Sequence, residues 1–160
     1  MKGWYERRLT SRLEVFRTSP GEFDDDLRRP CGRLVGMMPY ERLKAWQSCH
    51  QLTIATYRIT NSFPKSELYG LVSQMRRAAF SAAANLAEGS AKRGPREFRR
   101  FLDTTLGSLS EMSYAIMVVR ELGFVSEGEW RELDDLRAQA GRLTWGLYRL
   151  IRSKETTART

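Results

Sequence analysis

The sequence predicts an all-α fold, an antiparallel up-down-up-down four-helix bundle with a disordered N-terminal extension. From residue 40 onward apolar side chains recur at helical spacing in four stretches, proline or glycine punctuates the junctions, and no strand-like alternation competes. The junctions are short, so consecutive helices must turn back on one another. Residues 1–37 read as a flexible tail, 38–153 as the bundle and 154–160 as a flexible C-terminus.

The tail lacks apolar periodicity. Ser19-Pro20-Gly21-Glu22-Phe23-Asp24-Asp25-Asp26 and Arg28-Arg29-Pro30-Cys31-Gly32 are turn and charge signals, and Leu9, Leu13 and Phe16 make at most a short amphipathic turn or two. Met37 and Met38 stand immediately before the periodic pattern, so a native start at one of them is an open expectation.

The first helix is expected from about Tyr40 to Ser62, with Leu43, Trp46, Leu52, Ile54 and Tyr57 on its apolar side, ending before Phe63-Pro64. Proline donates no N–H and disfavours helix in the residue before it. Ser66 is placed to cap a second helix that starts at Glu67, runs through Leu71, Met75, Ala78, Ala79, Ala82 and Leu86, and stops at Gly89. The third opens after Gly94 with Pro95 in its first turn and continues to Gly123; Phe98, Phe101, Leu102, Thr105, Leu109, Met112, Ile116 and Val119 follow its repeat. Ser126 and Glu129 form a capping box for the fourth, which carries Trp130, Leu133, Leu136, Ala140, Leu143, Leu147 and Leu150 to about Ile151.

Composition narrows the function classes. Lysine and arginine outnumber aspartate and glutamate by 27 to 19, a net charge of +8 that attracts polyanions. Cys31 and Cys49 have no zinc or redox spacing, which fits a reducing, cytoplasmic setting, and no apolar run reaches the roughly 18 residues of a membrane span. The single histidine, His50, has no Glu three residues before it, so the Glu-x-x-His pairs of a di-metal bundle are missing. No cofactor or metal site is expected, and no nucleophile–base pair supports an enzyme.

The second helix is unusual. From Ala78 to Ala87 it has no charged side for water, which leaves two readings open: cover by another subunit, or an alanine-rich helix tucked inside one bundle. Ser81, Asn85 and Glu88 form a polar line at i, i+4 and i+7, with Ser108 and Glu111 of the third helix and Arg77 as candidate partners. We read this group as a structural network that fixes helix register.

Positive charge gathers at the turn between the second and third helices. Residues 76–100 hold seven cations, Arg76, Arg77, Lys92, Arg93, Arg96, Arg99 and Arg100, against Glu88 and Glu97. On a helix Arg96, Arg99 and Arg100 share a sector of about 100°, opposite Phe98, Phe101, Leu102 and Thr105. Guanidinium groups match phosphate with a planar fork of donors, so Arg76, Lys92, Arg93, Arg96, Arg99 and Arg100 are the candidate nucleic-acid contacts. An ordinary solvated arginine face stays open as the alternative. No RNA-recognition, KH or helix-turn-helix signature supports base-specific reading.

Several segments resemble a known family: Leu43-Lys44-Ala45-Trp46-Gln47, Phe63-Pro64-Lys65-Ser66-Glu67-Leu68-Tyr69-Gly70-Leu71, Gln74-Met75-Arg76-Arg77-Ala78-Ala79-Phe80-Ser81, and Asn85-Leu86-Ala87-Glu88-Gly89. With Glu97-Phe98, Phe101-Leu102, Gly107-Ser108-Leu109 and Glu111, they resemble the bacterial four-helix bundles encoded in intervening sequences of large-subunit ribosomal RNA genes. The resemblance covers nearly all of residues 40–150; Ala82 and Ala83 stand where the family often has larger aliphatics. It implies a homopentamer with a role around ribosomal RNA. It also implies kinship to the accessory variability determinant of diversity-generating retroelements, a basic pentamer that associates with reverse transcriptase and nucleic acid. The reading is therefore a non-enzymatic homo-oligomer associated with RNA, with a retroelement accessory protein or a protein-interaction scaffold as alternatives.

Overall fold

The structure is a computed structural model that describes residues 38–157. The expectations for residues 1–37, including the alternative start, and for residues 158–160 lie outside the described residues. Four helices follow a 3-10 turn at Pro39–Arg42: α1 (Lys44–Ile59), α2 (Leu71–Ser90), α3 (Pro95–Glu121) and α4 (Glu127–Thr157). The described residues contain no strand.

Each helix packs on two others, α1 on α2 and α4, and α3 on α2 and α4. Side-chain pairings give the directions. Along α2–α3, Ser81 meets Ser108 and Arg77 meets Glu111; along α1–α2, Thr53 meets Ala79 and Arg76 meets Thr60. Between α1 and α4, Arg58 pairs with Glu132 while Cys49 stands beside Thr144. In each pair one number rises as the other falls, so these neighbours run antiparallel. The core is filled by Leu52, Met75, Leu86, Leu102, Met112, Ile116, Val119 and Leu133, all fully buried.

The α4 capping box forms as the sequence predicts. The Ser126 hydroxyl accepts from the Glu129 N–H at 3.3 Å, and the Glu129 carboxylate accepts from the Ser126 N–H at 2.8 Å. That carboxyl group is held below its usual range by the backbone bond and by the Ser126 hydroxyl. Pro95 opens α3, and α3 ends in a Schellman motif: Phe124 N–H reaches the Val119 carbonyl at 2.9 Å while Gly123 supplies φ +69°.

Several boundary and face expectations need correction: α1 spans Lys44–Ile59 between 3-10 turns rather than Tyr40 to Ser62, and Leu150, expected on the apolar side of α4, is exposed. Ile54 is 53% exposed and Tyr57 45%. The buried face of α1 is Ala45, Ser48, Cys49, Leu52, Thr53, Ala55, Thr56 and Ile59, small and hydroxylated residues that let α2 come close. Thr53 and Thr56 donate to carbonyls one turn back, at 2.9 and 2.7 Å, which pairs both hydroxyls, whereas the buried Ser48 hydroxyl has no partner among the described residues.

Ser66 does not cap α2. Lys65–Glu67 makes a separate 3-10 turn, Gly70 interrupts it, and the Glu67 carboxylate accepts from the Leu71 N–H at 3.3 Å. Gly89 is not a stop either. It lies inside α2, buried, where an added Cβ would come within 2.7 Å of both Phe101 Cβ and Phe98 Cδ2. Close approach of α3 demands glycine there. Finally, α4 continues to Thr157, because no glycine or proline interrupts the chain after Ile151.

Cys49 is fully buried on α1, and burial pushes its thiol up to about 12, with the Thr144 hydroxyl offsetting part of the effect. The thiolate is the reactive species. Cys49 should therefore resist alkylation in the native protein and react once unfolded. Peptide mapping after iodoacetamide treatment checks this; rapid native labelling of Cys49 would contradict it.

Candidate nucleic-acid interface

The antiparallel turn at residues 91–94 sets the last turn of α2 beside the first turns of α3. Lys92, Arg93, Arg96, Arg99 and Arg100 all lie on this corner. Phe98 turns inward and is buried, with Leu102 and Thr105 continuing the inner face, whereas Arg93, Arg96 and Arg100 are exposed and Arg99 is half-buried.

Two of these cations are partly neutralised locally. Lys92 pairs with Glu88 at 3.0 Å, with its Nζ 5.3 Å from the Phe101 ring centroid, and Arg100 pairs with Glu97 at 3.7 Å. Such exposed pairs contribute little to stability. Arg93 and Arg96 make no ion pair among the described residues.

Arg76 does not join the cluster. It sits near the start of α2, about 24 Å along the helix from residue 92 at ~1.5 Å per residue. Its Nε donates to Thr60 Oγ1 at 2.9 Å, and its guanidinium lies 4.9 Å from the Tyr57 ring centroid. Closeness in sequence had grouped it with cations that the helix carries away from it.

Half of the expected polar group comes together. Ser81 and Ser108 hydroxyls are 2.9 Å apart across α2 and α3, and Asn85 Nδ2 donates to Ser81 Oγ at 3.1 Å and to the Ser81 carbonyl at 2.8 Å. Arg77 and Glu111 form a separate, exposed pair at 3.9 Å, and Glu88 turns to Lys92 rather than to α3. The seam is thus hydroxyl and amide chemistry.

Other hydrogen bonds were not anticipated. On one side of α2, Thr53 Oγ1 shares its proton between the Cys49 and Ala79 carbonyls, 2.9 Å from each; on the other, Thr105 Oγ1 shares its between Phe101 at 2.9 Å and Ala82 at 3.4 Å. Alanines at 78, 79, 82 and 83, all buried, let both threonines reach the α2 backbone.

Cover of α2 is incomplete. Phe80 is 61% exposed and borders a shallow groove of about 490 Å³ with Tyr57, Leu68, Tyr69, Val72 and Arg76; Tyr69 is 91% exposed. His50 is half-buried, stacked on Trp46 with ring centroids 5.1 Å apart, and burial lowers its pKa. Among the described residues no group of three or more His, Cys, Asp or Glu could hold a metal ion, and no helix is long and apolar enough to cross a membrane.

The family described as 23S rRNA-intervening sequence protein matches residues 41–146. The chain belongs to that family. No curated protein matches it. In this intervening-sequence protein the matched stretch takes in α1, α2, α3 and most of α4, and therefore the arginine corner and the Ser81–Ser108 seam alike.

Proposed function

We propose that this intervening-sequence protein is a non-enzymatic, cytoplasmic homo-oligomer, a pentamer by family likeness, that holds RNA by its phosphates through Lys92, Arg93, Arg96, Arg99 and Arg100. The observation that carries the reading is the corner itself. Arg93 and Arg96 stand exposed without an acidic partner among the described residues, on a backbone that Phe98 and Gly89 anchor to the core. Repeating the corner around an oligomer multiplies weak phosphate contacts into useful affinity. Exposed Phe80 and Tyr69 support self-association, since apolar surface of this kind marks contact sites.

Titration of generic single-stranded RNA against salt tests the reading. Affinity should fall steeply as salt rises, and Arg96→Ala, Arg99→Ala and Arg100→Ala combined should lower the slope by about 2, at ~0.7 per phosphate contact. Helicity should be retained. Unchanged affinity and slope would remove these arginines from the interface. Absence of RNA binding even at low salt would favour a protein-interaction scaffold, a reading to which the apolar groove beside Phe80 lends support.

A further inference from the structure

The C-terminal part of α4 carries charge and aromatic surface that the arginine corner does not account for. From residue 136 to residue 154 it holds Arg137, Arg142, Arg149, Arg152 and Lys154 and no carboxylate, whereas the first turns hold Glu127, Glu129, Glu132, Asp134 and Asp135 against Arg131 alone. The helix dipole favours cations only in the last turn. It can account for Lys154 near the end at Thr157 but not for Arg142, about four turns earlier.

The spacing is specific. Arg142, Trp145, Arg149 and Arg152 fall at i, i+3, i+7 and i+10, within about 80° of the helix surface at 100° per residue, and all four are exposed. Arg142 and Arg149 make no ion pair among the described residues. Trp145 is 50% exposed, with the Tyr148 ring stacked parallel to it, centroids 5.2 Å apart and planes within 3°.

Two glycines frame the indole. Gly141 lies one turn before it and Gly146 directly after, and a Cβ added at either would meet nothing within 4 Å. Mid-helix glycine weakens a helix. Packing does not demand glycine at these positions; their effect is open space beside an exposed aromatic stack.

We propose that Arg142, Trp145, Tyr148 and Arg149 form a base-stacking site for single-stranded RNA, an inference that rests on the RNA reading above. The base adds to the existing Trp145–Tyr148 stack on the side of Gly141, and the two arginines flanking the indole neutralise the adjoining phosphates. Stacking on an aromatic platform requires an unpaired base, which duplex RNA does not offer. In the antiparallel bundle the end of α4 and the start of α3 lie at the same end, so the stripe and the cationic corner share that end of the bundle.

The test uses the full chain and a fluorescein-labelled oligoadenylate of about 12 nucleotides, within the site size of single-strand binders. The same strand annealed to its complement is the control. Trp145→Leu should weaken single-strand binding about tenfold, the size of one lost stack, with Trp145→Phe restoring most of it and duplex binding little changed. Arg142→Ala with Arg149→Ala should lower the single-strand salt slope by about 1.4, at ~0.7 per contact. The arginine variant carries the test alone if Trp145→Leu does not fold. Equal loss on both RNAs, or an unchanged slope, would overturn the stacking site and leave the arginine corner standing. A lower native mass for Trp145→Leu by light scattering would also overturn it, by assigning the indole to a subunit contact. If the unaltered protein binds neither RNA at low salt, the RNA reading fails together with this one.

Discussion

Gly89→Val should destabilise the bundle by about 3 kcal/mol, the upper part of the range for overpacked cores. Even a Cβ at this position would stand 2.7 Å from Phe101 Cβ, an atom tied to the α3 backbone, so relief requires helix α3 to move rather than a side chain to rotate. The contact lies next to the turn that carries Lys92, Arg93 and Arg96, and its displacement should disturb the arginine corner as well. Thermal unfolding followed by circular dichroism should show a melting temperature lower by about 10 °C. Gly107→Ala provides the contrast. A Cβ there meets nothing within 4 Å, so the gain in helix propensity should stabilise α3 by up to about 1 kcal/mol. Equal effects at the two positions would refute the assignment of Gly89 to close packing.

Phe80→Glu should reduce the native mass from that of the oligomer to that of one subunit, about fivefold for a pentamer, without loss of helicity. Phe80 is mostly exposed and contributes little to the subunit core, while Arg76 and Arg77 stand within one turn of the introduced carboxylate. The cost falls on association, where an apolar contact would have to strip water from the carboxylate and its neighbouring guanidinium groups. Light scattering reads the result. An unchanged oligomer would move the contact elsewhere, and a wild-type monomer would end the oligomeric reading.

Local signals in the sequence proved the most legible. The Ser126–Glu129 box, Pro95 at the start of α3 and Gly123 at its end depend on backbone groups a few residues away, and the structure has each where the sequence places it. Gly89 was misread because a terminating glycine and a close-contact glycine look alike until Phe98 and Phe101 are known to lie across from it. The face of α1 was misread because Ile54 and Tyr57 outweighed Ala45, Ser48 and Thr56, although the partner surface of α2 is alanine and rewards small side chains.

The candidate site shows the same division. Lys92 through Arg100 form one corner because a turn and a helix start hold them, whereas Arg76 left the group once the length of α2 was taken into account. Ser81, Asn85 and Ser108 met as their spacing suggested, but Glu88 found a nearer partner in Lys92. The Arg142–Trp145–Arg149 stripe went unnoticed although its spacing and the lack of acids from residue 136 to 154 were there to read.

The hydroxyls of Thr53 and Thr105 grip α2 from opposite flanks, on carbonyls less than one turn apart. Sliding α2 along its axis by a single residue would break both latches together, and rotating it would bring alanines out of their seats. The middle of α2 should accordingly exchange its amide hydrogens last, setting the clock for opening of the entire subunit.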